Sequence, residues 1–167
     1  QYQREVELRE SNGLTNLGLM TNRTWHDDPR RLLIVLARYK FVAKMLSGKK
    51  RVLEVGCGDA FATRIVLQEV AQLCAVDFDP VFIKDINERM EEKWPFDCRV
   101  HDILSGSVDG PFDGAYAIDV IEHIPTADEQ RFMSNIAQSL SDEGVLIIGT
   151  PTVQSQQYAS EDSKIGH

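Results

Sequence analysis

Two glycines one residue apart, Gly56 and Gly58, close a short apolar run in the segment VLEVGCGDA, residues 52–60. Glycine at such a place lets the backbone turn tightly, and it lets a ligand approach where a Cβ would otherwise stand. A helix starting just beyond adds unpaired N–H groups and the positive end of a helix dipole. Glu54 stands two positions before Gly56, a poor neighbour for a pyrophosphate and a good one for a cationic ligand. Asp77 ends the next apolar run, AVDFDP. An acidic side chain about 20 residues beyond a glycine loop accepts hydrogen bonds from both hydroxyls of a ribose. Glycines and acids together describe a nucleoside that lacks phosphates and carries positive charge. A dinucleotide loop would need a small residue where Phe61 stands, and a P-loop would need a Gly-Lys-Ser/Thr ending that is missing. A tight strand-to-helix turn with no ligand is the plainest alternative.

Further polar groups follow. Asp119, Glu122 and His123 lie close together after a later apolar run, FDGAYAI, and His26 lies far upstream. His123 at a strand exit suits contact with substrate or metal, or a local hydrogen bond that caps the loop. His101 alternates within a strand-like run and reads as packed, and His167 is the last residue. Two carboxylates and an imidazole make a partial shell for Mg²⁺ or a similar ion. With no clear fourth ligand, no metal site is assigned.

Such groups act together only if a frame brings the ends of separate runs to one edge. Strand-like apolar runs are predicted at 51–55, 73–77, 98–102, 113–118 and 145–149. Helical spacing lies between them at 61–70, after Asp79-Pro80 (with Phe82, Ile86 and Met90 on one face), and after Thr126, where Thr126 and Glu129 fit a capping box. Before the first run, Asp28-Pro29 reads as a helix start. Leu32, Leu36, Tyr39, Ala43 and Leu46 then form one face, and Gly48 supplies the stop. The connection at 103–112 is short and rich in Gly and Ser, so its helix is expected to be shortened or absent. Alternating β and α elements with continuous apolar strands predict a parallel sheet with helices on both faces. The fold class is therefore α/β, a Rossmann-like three-layer α/β/α sandwich whose mostly parallel sheet stops after its fifth strand. Such a sheet leaves an edge that a homodimer or another partner would cover. Residues 1–28 read as an irregular N-terminal arm, 29–151 as the core, and 152–167 as a polar tail or the start of a substrate region.

These stretches, in this order and spacing, resemble class I methyltransferases that use S-adenosylmethionine (SAM). VLEVGCGDA is similar to their first motif and AVDFDP to their second. RVHDIL, FDGAYAIDVIEHI and LSDEGVLIIGTP resemble the third, fourth and fifth strand regions. The resemblance covers roughly residues 30–151, and one departure is Ala60, where the family often has a third glycine. It implies that Glu54, Gly56, Cys57 and Gly58 line the methionine and ribose portion of SAM. Asp77 would bind the ribose hydroxyls, with Phe78 against the adenine or simply in the core. Asp102 would accept from the adenine amino group, with Ile103 beside the ring; it also fits a turn. Ile118 and Asp119 would border the methionine end. Arg38-Tyr39 resembles a pre-motif Arg-Tyr in some members, where Arg38 would pair with the SAM carboxylate; a solvated helix arginine is the alternative. His123, Glu122 and His26 are the candidate catalytic residues.

The whole-chain numbers agree with one globular domain of 167 residues and three cysteines. A net charge of -8 disfavours sequence-independent contact with nucleic acid backbones. An odd cysteine count with no CxxC pair suits a reducing, cytoplasmic compartment. No signal peptide is expected, and no apolar run approaches the roughly 18 residues of a membrane span. The family resemblance implies methyl transfer to a small molecule or sugar, with oxygen favoured over nitrogen. A SAM-binding module without catalysis is the second reading.

Overall fold

The computed structural model describes residues 2–152. From Arg51 onward, strands and helices alternate. They are β1 (Arg51–Val55), α4 (Thr63–Leu67), β2 (Gln72–Asp77), α5 (Pro80–Arg89), β3 (Asp97–Val100), β4 (Phe112–Ile118), α6 (Glu129–Ser139) and β5 (Leu140–Gly149). Three helices precede them: α1 (Gln3–Asn12), α2 (Leu19–Asp27) and α3 (Arg30–Met45). All strand pairs are parallel, in the order β3-β2-β1-β4-β5. Chain direction across the sheet reverses beside β1, and ligands of open α/β sheets bind at that point, outside the carboxyl ends of the strands.

The central strands are buried because side chains of opposite faces meet different helices. Val52, Leu73, Ala75 and Tyr116 join Tyr39, Val42 and Leu46 of the α3 side, together with Val66 and Ile86. Leu53, Val55, Cys74, Val76, Phe112 and Ala115 join Phe132 and Ile136 of α6. Period-two alternation along each strand thus feeds two cores. Helix α3 buries Leu32, Tyr39, Val42 and Ala43, and Gly48 ends the turn beyond it at φ +81. Asp28 supports its start, since the backbone N–H of Arg30 donates to the Asp28 carboxylate at 3.3 Å.

Several expectations need correcting. The N-terminal arm is not irregular: α1 and α2 are helical, with Gly13, Thr15, Asn16 and Gly18 in the break between them. Charged and polar residues hide α1 from an apolar-period search, since none of its residues is buried. Helix α4 is one turn and a half rather than ten residues. Strand β3 ends at Val100, so Asp102 lies past the strand. Strand β5 starts at Leu140, which pairs with Phe112 before a register shift brings Val145 beside Gly114. The capping box is not formed. Asp128 holds the N-cap of α6 in helical conformation and no side chain bonds there. Segment 103–112 contains no helix, as its composition indicated. Among the described residues no helix is long and apolar enough to cross a membrane. His167 and nearly all of the 152–167 segment lie outside the described residues.

Candidate functional site

The turn after β1 is built on left-handed backbone. Gly56 has φ +72 and Gly58 φ +53, and Ala60 adopts φ +52. A Cβ on Gly56 would stand 2.5 Å from Val120 Cγ2, and one on Gly58 would stand 2.9 Å from Met20 Sδ. Only glycine fits at 56, on both conformation and space. The amides of Gly56 and Cys57 donate to the Val76 carbonyl at 2.8 and 3.1 Å, which locks the turn onto β2. Ala60 explains the family's preference for a third glycine there: the position is left-handed.

Asp77 sits at the tip of β2, 6% exposed. One oxygen accepts from the Gly58 amide at 2.9 Å and the other from the Asp79 amide at 3.0 Å. The glycine turn and the second acidic motif are thereby joined. Phe78 next to it is 72% exposed, a bare ring beside the turn and not a core residue.

Glu54 is fully buried and makes a network that the sequence did not reveal. Tyr39 donates its hydroxyl to Oε1 at 2.7 Å, while Thr63 and Tyr116 donate to Oε2 at 2.6 and 2.8 Å. The two tyrosine rings meet edge-on, with centroids 5.8 Å apart. Burial pushes the Glu54 carboxyl up to about 7, even though three hydroxyl donors pull the other way. Burial, followed by the charge of Glu54, holds both tyrosine hydroxyls well above their ordinary range. The signal for this network was a tyrosine within each of two apolar stretches, because a buried phenol needs a partner.

At the tip of β4, Asp119 adopts φ +57, and its amide donates to Gly149 O at 2.7 Å. Its carboxylate pairs with Arg38 of α3. Arg38 is therefore an ion-paired residue at the strand tips, not a solvated helix arginine. Burial raises the Asp119 pKa despite the guanidinium. Ile118 is half-buried and packs with the α3-side core. Glu122 and His123 follow in a 3₁₀ turn, Ile121–His123. Glu122 is pushed up by burial and accepts from Thr150 Oγ1 at 3.3 Å. His123 is exposed in the same turn. Arg38, Asp119, Glu122 and His123 thus form one polar group around Val120, whose side chain packs against Gly56 of the glycine turn.

Other candidates stand apart from it. Asp102 is exposed and accepts from the Leu104 amide at 2.9 Å, which makes it a turn residue here. Ile103 is buried on the α6 side. His26 lies in solvent with Nδ1 3.2 Å from Asp27. His101 Nε2 lies 3.0 Å from the Gly106 carbonyl, a packing role. Cys57 is buried, and the neighbouring thiol of Cys98, with burial, pushes its pKa far up. Among the described residues no three His, Cys, Asp or Glu side chains are grouped to hold a metal ion. A cavity of about 550 Å³ opens between α3 and the end of β5. Arg38 and Ile118 line it, but the glycine turn does not.

The doubly wound parallel sheet carries a glycine turn after β1 and acids at the tips of β2 and β4, on the edge where open α/β sheets bind their ligands. A family model described as a methyltransferase domain matches residues 53–146, more than half of the chain, and the chain belongs to that family. The class I methyltransferase resemblance noted in the sequence holds. Among curated proteins, a ubiquinone biosynthesis O-methyltransferase of Xanthomonas campestris pv. campestris is 28% identical over 144 residues. That match covers 82% of this chain, and the chain spans 59% of the relative's length. Among solved structures, the sugar N-methyltransferase KedS8 from Streptoalloteichus sp superposes with a TM-score of 0.64 at 16% identity, covering 83% of this chain and 56% of that one. The N-methyltransferase NodS from Bradyrhizobium japonicum, in complex with S-adenosyl-l-homocysteine, gives 0.59 at 21%, covering 73% and 63%. At these identities the two structures attest the shared fold.

Proposed function

We propose that this chain binds SAM at the tips of β1, β2 and β4 and transfers its methyl group to a small-molecule acceptor, oxygen being favoured over nitrogen. The observation that carries the reading is the Gly56–Gly58 turn. Two positions without Cβ face Val120 and Met20, and the Asp77 carboxylate is bonded beneath them. The left-handed turn and the acid at the neighbouring strand tip support an adenosyl ligand, because an acidic side chain at that point of an open α/β sheet can accept from ribose hydroxyls. The SAH-bound neighbour and the quinone-pathway relative support the cofactor and an oxygen acceptor, respectively.

When bound, SAM supplies a methyl already activated on a sulfonium, so the protein's task is alignment, proximity and exclusion of water. Asp77 binds and orients the ribose. Arg38, shared with Asp119, is placed to take a carboxylate at the methionine end. Glu54 braces the turn from behind through its hydroxyl network, which ties α3, α4 and β4 to β1. For a hydroxyl acceptor a base is required, and Glu122 and His123 at the β4 exit are the groups placed to take that proton. His26, in solvent against Asp27, has no part in this proposal.

Calorimetric titration with SAM, S-adenosylhomocysteine and NAD tests the binding claim, and transfer of labelled methyl to catechol and amino-sugar acceptors tests the chemistry. Asp77→Ala is expected to weaken S-adenosylhomocysteine binding by roughly 1–3 kcal/mol, the scale of lost hydrogen bonds at a charged group. NAD binding alone would overturn the proposal. Tight SAM binding with no transfer to any acceptor would favour the non-catalytic module.

A further inference from the structure

We infer that Asp59 is a positioning residue that latches the N-terminal helix α2 onto the cofactor turn. The inference rests on the reading of that turn as the SAM site. Asp59 lies between Gly58 and Ala60, both left-handed, and is only 6% exposed. Its carboxylate leaves its own loop to cap a helix far away in sequence. The Thr21 amide donates to Oδ2 at 2.6 Å and the Thr21 hydroxyl to Oδ1 at 3.1 Å. Phe61 N also donates to Oδ1, at 3.2 Å. No side chain of the arm caps α2 itself. Asp59 therefore takes an orphan first-turn N–H of that helix, and its negative charge faces the positive end of the dipole.

Three further contacts converge there. Arg89 of α5 donates Nη2 to the Asp59 carbonyl at 2.8 Å, while its guanidinium is held by Asp85 at 2.7 Å. Gly18, at φ +96, passes so close that a Cβ would stand 2.7 Å from Asp59 Oδ2 and 2.8 Å from Arg89 Nη2. Met20 lies against Gly58. Within residues 2–28, Gly18 and Thr21 are the buried ones, and both face Asp59. The arm thus has a single buried anchor point, on the residue that follows the second glycine. From that anchor α2 leads through Asp28-Pro29 into α3, which carries Arg38 and Tyr39. Closing the latch fixes the arm over Gly58 and the start of α3 together. Releasing it frees the face of the turn and lets Asp59 relax between its two left-handed neighbours.

The test uses the full 167-residue chain and two variants that attack the contact from opposite sides, Asp59→Ala and Gly18→Ala. Hydrogen exchange of amides 19–27 and the dissociation rate of S-adenosylhomocysteine are both measured. Each variant is expected to speed exchange in 19–27 and release of the ligand by about tenfold, the scale of lost charge-assisted hydrogen bonds. Exchange in β1 and β2 should keep its protection. The double variant should be no faster than either single one, and Asp59→Asn, which keeps an acceptor oxygen, should restore most of the wild-type behaviour. Unchanged exchange in Asp59→Ala would overturn the latch. Faster exchange with unchanged ligand release would overturn its role toward the cofactor. If the wild-type chain binds no S-adenosylhomocysteine, the functional reading fails, and the exchange of 19–27 alone decides whether the latch exists.

Discussion

Ala60 carries a conformational cost that a glycine would avoid. A non-glycine residue in the left-handed region loses roughly 1–2 kcal/mol, whereas glycine's extra chain entropy costs about 0.5–1 kcal/mol. Ala60→Gly is therefore expected to stabilise the domain by about 0.5–1 kcal/mol. Urea denaturation would show a higher midpoint at an unchanged slope; a lower midpoint would mean that the alanine methyl, 8% exposed, packs better than the backbone is strained. The contrast with Gly56 is one of space, since a methyl there would overlap Val120. Much of the candidate turn was readable at this level. Spacing singled out Gly56, Gly58 and Asp77, because a turn and a carboxylate announce themselves in single residues. Asp59 and Tyr116 passed unnoticed because their partners, Thr21 and Glu54, lie 38 and 62 positions away in the chain. No local spacing encodes such a meeting.

Helix ends show where local pattern and tertiary context part company. Thr126 and Glu129 have the right spacing for a capping box, yet α6 begins after a helical Asp128 and no side chain bonds its first amides. Asp79 does cap α5, accepting from Val81 N at 2.8 Å with Pro80 at the first helical position. The pair gives a direct comparison. Asp79→Ala is expected to cost about 1 kcal/mol, the usual value of a lost cap, while Thr126→Ala should cost less than about 0.5 kcal/mol. Equal losses would show that Thr126 works as a cap in solution. The same logic explains which elements the sequence announced. The strands of the parallel sheet and helix α3 stood out because burial writes itself as apolar periodicity. Helices α1 and α2 bury almost nothing and so left no such trace. The short α4 fell below expectation because residues 68–70, apolar and polar mixed, form turns rather than a further helical turn.

Glu54 ties these elements into one electrostatic unit, since its three donors come from α3, β4 and the start of α4, around a carboxylate on β1. A buried acid with a raised pKa makes stability fall as pH rises. Below its ordinary value of 4.5 the group is protonated in both folded and unfolded chains. Between there and about 7 the unfolded chain has lost the proton and the folded one keeps it. Folding then binds a proton, so stability declines across that window and levels off above it. Each tenfold difference in proton affinity between the two states is worth about 1.4 kcal/mol, which makes the drop on the order of 3 kcal/mol. Asp119 and Glu122, also raised by burial, act in the same direction. Asp27, Asp28 and Glu69 are lowered by hydrogen bonds from His26, Arg30 and Lys44, respectively, and act oppositely at acid pH, but they lie at the surface, where solvent screens them. A net charge of -8 adds repulsion at the alkaline end. Urea midpoints measured at constant ionic strength are expected to fall from pH 5 to 7 and then flatten. Glu54→Gln should remove most of that slope, because the hydroxyls can turn to accept from the amide and no charge is left to desolvate. Glu54→Ala, which strands three buried hydroxyls, should lose about 3 kcal/mol or more at every pH. A wild-type midpoint that rises between pH 5 and 7 would show that Glu54 is ionised in the folded domain, and the charge behind the glycine turn would then have to be drawn as a full negative one.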